Sequence, residues 1–84
     1  MIPAELAEQV RSEVKRLKQA QDDFLQTYRA LCIYHGGEQW QKEPSEMIFH
    51  RAREAVVPIM EELGMDHNTV QALCSWAEQL LRSR

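Results

Sequence analysis

After Pro3, the thirty residues from Ala4 to Ile33 contain neither glycine nor proline, an uninterrupted run that no other part of the chain matches. Glycine and proline are the residues that most readily end a helix, so the run predicts one long helix over about 3–33. Proline is tolerated in the first helical turn, and Glu5 and Glu8 suit the positive end of the helix dipole. The apolar residues recur at alternating spacings of three and four: Ala7, Val10, Val14, Leu17, Gln21, Phe24, Tyr28 and Leu31. These are the a and d positions of a heptad pattern with a single polar member, Gln21. Leu6, Leu25 and Cys32 widen the stripe at its two ends, while the middle keeps the narrow seam of a coiled coil. Gly36-Gly37 supplies the stop.

The rest of the chain reads as two shorter helices. Residues 35–44 form a polar connector, predicted to be a loop, in which Pro44 pushes Glu43 out of helical geometry. Ser45 is the expected N-cap of a helix over about 45–63, with Glu46 in its first turn. Ile48, Ala52, Ala55, Val56, Ile59 and Leu63 mark its apolar side, and Gly64 ends it. Pro58 removes the backbone hydrogen bond to the Glu54 carbonyl and is expected to kink or divide this helix. Asp66 caps a third helix over about 67–82, with Met65 and Val70 placed as a hydrophobic staple. Val70, Leu73, Cys74, Ala77, Leu80 and Leu81 trace its apolar stripe. Arg82 and Arg84 stand at its negative end. No segment alternates with a period of two, so no strand is expected. The fold class that follows is all-α: a single domain over 1–84, a three-helix antiparallel bundle with a long N-terminal helix.

Several function classes are excluded by what the residues lack. The longest apolar runs are four to six residues, against about 20 for a membrane span. The N-terminal residues show no basic leader or apolar core of a secretory signal, so a cytoplasmic location is expected. Cys32 and Cys74, both on apolar faces, read as buried thiols. Cys32 and His35 have a CxxH spacing, yet His50, His67 and Cys74 are scattered and form no second close pair, so no metal ligands are assigned. No strand-to-helix elbow presents a nucleophile, and His35-Gly36-Gly37 is not followed by the lysine of a phosphate loop. Asp22-Asp23 and Glu61-Glu62 are adjacent on helices and point about 100° apart. The chain is therefore expected to be non-enzymatic and without cofactors. Its formal charge of −3 does not point to nucleic acid. Arg11, Lys15, Arg16 and Lys18 are interleaved with Glu8, Glu13, Asp22 and Asp23, as on a solvated helix face.

Length gives the first hint of a partner. At 1.5 Å per residue the first helix spans roughly 45 Å and the other two roughly 28 Å each. About ten residues of patterned helix then project beyond the bundle. A second copy of the same helix is the economical cover, which makes Val10, Val14, Leu17 and Gln21 a candidate interaction surface. Phe24, Tyr28 and Tyr34 lie where the bundle would pack and are expected in the core. Trp40, Phe49 and Trp76 lie off the main stripes; if they converge they form either a small second core or a docking patch, and they complete the set of candidate interaction residues. The expectation is a small adaptor or regulator acting through protein–protein contacts, as a homodimer or with another protein.

The segment from Ile59 to Leu73, with Leu63-Gly64-Met65 at the turn and Thr69, Val70 and Leu73 opening the next helix, resembles the helix-turn-helix of bacterial DNA-binding regulators. The resemblance covers about twenty residues. It implies an alternative, a DNA-binding regulator using 59–76, with His67, Asn68, Thr69 and Gln71 facing the duplex. The sequence departs from that pattern at Met60, large where helices cross, at Pro58 within the first helix, and in having no basic residue on this face before Arg82.

Overall fold

In the computed structural model, residues 2–42 and 45–83 are described; the expected break at Glu43-Pro44 and the placement of Arg84 lie outside them. Every element is helical: α1 (Ala4–Gly36), α2 (Glu38–Lys42), α3 (Glu46–Glu62) and α4 (His67–Arg82), with no strand among the described residues. The chain measures 51 × 29 × 16 Å, and the long dimension matches about 50 Å for a 33-residue helix.

α1 extends three residues past the expected end because Gly36 keeps helical geometry and the turn falls on Gly37. Gly37 has φ 54°, a backbone conformation open mainly to glycine, and its N–H bonds the Ile33 carbonyl at 2.8 Å. Gly36 marks a close approach. A Cβ there would lie 2.7 Å from Ile48 Cδ1 and 3.0 Å from Trp40 Cβ.

The connector is not a loop throughout: Glu38–Lys42 form one helical turn, so four helices replace the expected three. Such a turn has no stability of its own. Trp40, buried to 1% exposure and set edge-on against Phe49 with ring centroids 5.6 Å apart, anchors it. A single apolar residue in five leaves no period to read, which is why the element was missed.

The caps follow the sequence. Ser45 Oγ accepts from the Ile48 N–H at 3.3 Å, and Asp66 Oδ2 accepts from Asn68 and Thr69 N–H at 3.1 and 3.3 Å. At the end of α3, Gly64 (φ 89°) donates to the Glu61 carbonyl at 2.9 Å and Met65 to the Met60 carbonyl at 3.1 Å, the paired bonds of a Schellman motif. α3 is assigned as one helix through Pro58, which does not divide it.

The core is built from Tyr28 and Cys32 of α1, Trp40 of α2, five residues of α3 and four apolar residues of α4. On α3 the buried face is Ile48, Phe49, Ala52, Val56 and Met60, rotated from the expected stripe, so Ile59 and Leu63 are exposed. Leu80 is likewise largely exposed. Tyr34, expected inside, is 81% exposed, because the inward positions of that turn are Cys32 and His35. Phe24 is half-buried and Tyr28 completely buried, their rings 5.9 Å apart.

Candidate functional site

The second half of α1 is covered by the other helices and the first half is not. Phe24, Leu25, Tyr28 and Cys32 pack in or against the core. Eighteen residues earlier stand Leu6, Ala7, Val10 and Val14, and eighteen residues are about five whole turns, so each points the same way as its core counterpart. Among the described residues no other helix covers that earlier set. Leu6 is 45% exposed, Val10 48%, Val14 55% and Leu17 66%. The stripe does not stop at bare helix. Where α3 and α4 begin to cover it, Leu17, Ala20, Gln21 and Phe24 of α1 meet Met60, Met65 and Leu73 across an apolar groove of about 420 Å³. Val10, Val14, Leu17 and Gln21 are thus brought onto one continuous face. Gln21 sits at the mouth of the groove, exposed.

A polar knot ties the three long helices together. Glu78, 7% exposed on α4, accepts the Tyr28 hydroxyl at 2.5 Å and Arg53 Nε at 3.0 Å. Arg53 also donates to Gln71 Oε1 at 2.8 Å and Ser75 Oγ at 3.3 Å. Tyr28 donates in addition to the Phe49 carbonyl at 3.3 Å. Arg82 grips Glu46 through Nε and Nη2 at 2.7–3.1 Å, with its guanidinium 4.7 Å above the Phe49 ring. Three helices are tied by these bonds. Burial, reinforced by the Glu78 carboxylate, raises the Tyr28 phenol well above its ordinary value. Burial alone would lower the Arg53 guanidinium, but the hydrogen bond and charge of Glu78 outweigh it and hold it above its ordinary value. Burial also raises the Cys74 thiol. Tyr28, Arg53 and Glu78 each have a hydrogen-bonding partner within the fold. Sequence reasoning did not find Glu78 or Arg53, since a lone acid beside Ala77 looks like a surface residue and its partners are 25 and 50 positions away.

Two of the three off-stripe aromatics are interior rather than surface residues. Trp40 and Phe49 form the edge-on pair of the core, and both are closed to any partner. Burial of these two large rings is what holds α2 down. Trp76 is half-buried against the same core.

Of the residues of the helix-turn-helix reading, His67, Asn68 and Thr69 are exposed and Gln71 is half-buried. His67 Nδ1 lies 3.1 Å from Glu61 Oε1, and Gln71 is held by Arg53. Asn68 and Thr69 are exposed, with their backbone N–H groups engaged by Asp66. Cys32 and Cys74 are buried free thiols. Among the described residues no three His, Cys, Asp or Glu side chains are placed to hold a metal ion, and no helix is long and apolar enough to cross a membrane. Comparison with known proteins finds no matching family model, curated protein or solved structure.

Proposed function

We propose that the chain is a small non-enzymatic adaptor or regulatory protein that works through protein–protein contacts, as a homodimer joined by the first half of α1. One observation carries this reading: an apolar stripe that repeats the core face of the same helix stands open and runs directly into an apolar groove. We take α3 and α4 to lie antiparallel beside the second half of α1, with α3 bent at Pro58, which leaves the first half free for a partner.

Magnitudes are consistent with association rather than a bare arm. Ile2, Leu6, Val10, Val14 and Leu17 are each between 45% and 66% exposed, and covering that exposed part is worth about 1 kcal/mol per side chain. Two copies supply about 10 kcal/mol in gross terms, of the same order as the cost of bringing two chains together. A dimer of this kind is dissociable, and its population depends on concentration. Val14→Asp places a carboxylate in the seam of both copies and is expected to yield monomer with unchanged helix content.

The helix-turn-helix reading has less beneath it. The turn at Gly64 suits such a pair, but Gln71 is committed to Arg53, and no Lys or Arg accompanies the exposed residues at the start of α4. A mobility shift on random duplex at low salt separates the classes, because phosphate contacts dominate non-specific affinity there. The adaptor reading expects no shift. A shift that fades as salt rises would favour the DNA-binding class instead.

A further inference from the structure

We infer that the occupant of the groove between α1, α3 and α4 is the first turn of α1 from a second copy, in an antiparallel arrangement that makes the two copies' grooves equivalent. The inference rests on the dimer reading above and adds its direction and register. Three observations carry it.

The first is direction. Because the open stripe and the covered stripe lie on one face of a single helix, a partner helix laid along Val10 and Val14 points, at one end, straight at α3 and α4. A parallel partner in register would drive its own second half, with its α3 and α4, into that block. An antiparallel partner approaches the block with its N-terminal turn alone and carries its own α3 and α4 away beyond the other end. Both stripes are then covered and nothing collides.

The second is register. In an antiparallel helix pair a positions face d positions, which allows only pairings whose residue numbers sum to values seven apart. A sum of about 31 sets Pro3 opposite the partner's Tyr28, already fully buried under its own chain. A sum of about 17 leaves Leu17, Gln21 and the groove uncovered. The intermediate sum of 24 matches Val10 with the partner's Val14, Ala7 with the partner's Leu17, and Pro3 with the partner's Gln21. Leu6, together with Ile2 just ahead of α1, each about half exposed in the single chain, then enters the groove.

The third is the character of the two surfaces. The groove is lined by Met60, Met65, Leu73 and Phe24, adaptable apolar side chains with little polarity to satisfy, and Ile2 and Leu6 bring no polar group to it. Two flank positions bring like charges together, and each charge is offset within its own helix. Arg11 and Glu13, which approach their own counterparts across the two-fold axis, are each already paired within the helix, Arg11 with Glu8 and Glu13 with Arg16.

The arrangement is tested by cross-linking two single-cysteine variants of the full chain, Ala4→Cys and Lys18→Cys, with a short bismaleimide. Both positions are exposed, both flank the stripe, and neither makes a contact the fold needs, while Cys32 and Cys74 are buried. At a rise of 1.5 Å per residue, the antiparallel register offsets residue 4 from the partner's residue 18 by about 3 Å along the axis, but residue 4 from its own counterpart by about 24 Å. An in-register parallel pair inverts this, with like residues level and unlike ones about 21 Å apart. The expected result is a cross-linked dimer from the mixture of variants and little from either variant alone, with the wild-type chain giving none. Products from the separate variants, or a two-chain mass by light scattering without the mixed product, would overturn the arrangement while leaving the dimer standing. A one-chain mass would overturn both.

Discussion

Glu78 is the residue on which the packing of the three long helices converges. A carboxylate this buried is tolerated only when its lone pairs are filled, and here Tyr28 and Arg53 fill them. Tyr28→Phe removes a hydrogen bond to a charged acceptor, so urea unfolding should show a loss of about 2 kcal/mol with an unchanged denaturant slope. The same residues set the response to pH. The Tyr28 phenol and the Cys74 thiol are both raised by burial, so the folded chain holds their protons more tightly than the unfolded chain does. Their contribution is complete below the unfolded values of about 8.5 for a thiol and about 10 for a phenol, and it is lost as pH rises beyond them. Through these two groups stability should fall above about pH 9. In Tyr28→Phe the part of the fall above about pH 10 should disappear, as chemical denaturation at stepped pH would read. Tyr28 as a core residue was legible from its heptad position. The knot around it was not, because each of its bonds joins residues distant in sequence, and a pattern of apolar spacing carries no information about which acid meets which base.

At the scale of elements, the stops and starts were the most legible features. Ser45, Asp66, Gly64 and Gly37 each act where their chemistry suggested, since a cap depends on a few neighbouring residues rather than on the rest of the fold. Asp66→Ala should cost about 1 kcal/mol by releasing the Asn68 and Thr69 donors. Gly64→Ala should cost about 1–2 kcal/mol although no atom lies within 4 Å of the added methyl, because the expense is the positive φ itself. Thermal unfolding of the two variants beside the parent chain checks both. Pro58→Ala restores a donor to the Glu54 carbonyl within α3, and the variant should be about 1–3 kcal/mol more stable. What was not legible had a common cause. α2 exists because Trp40 finds the core, and the buried face of α3 is rotated toward Phe49 by the same contact. Both are decided by tertiary packing, which overrides a local pattern of spacings.

For the whole molecule, the mismatch between one helix of 33 residues and two of 17 and 16 was readable from where glycine and proline fall, and it is the feature from which function is argued. Leu6, Val10 and Val14 stand open because α3 and α4 cover only the second half of α1, and Leu17 stands at the edge of the groove they form with it. Trp40 and Phe49, equally suspect in the sequence, turned inward, because a pair of large rings beside a short connector can fold onto each other whereas a projecting helix cannot fold onto itself. If the open stripe joins two copies, amide exchange in residues 4–20 should slow as concentration rises, while the second half of α1 changes little. The most direct measurement is the solution mass of the chain by light scattering across a wide concentration range, for the parent and for Val14→Asp. The account predicts a mass moving from one chain toward two as concentration rises, and one chain throughout for the variant. A parent mass of one chain even at about 1 mM, where association of only about 4 kcal/mol would be visible, would contradict it.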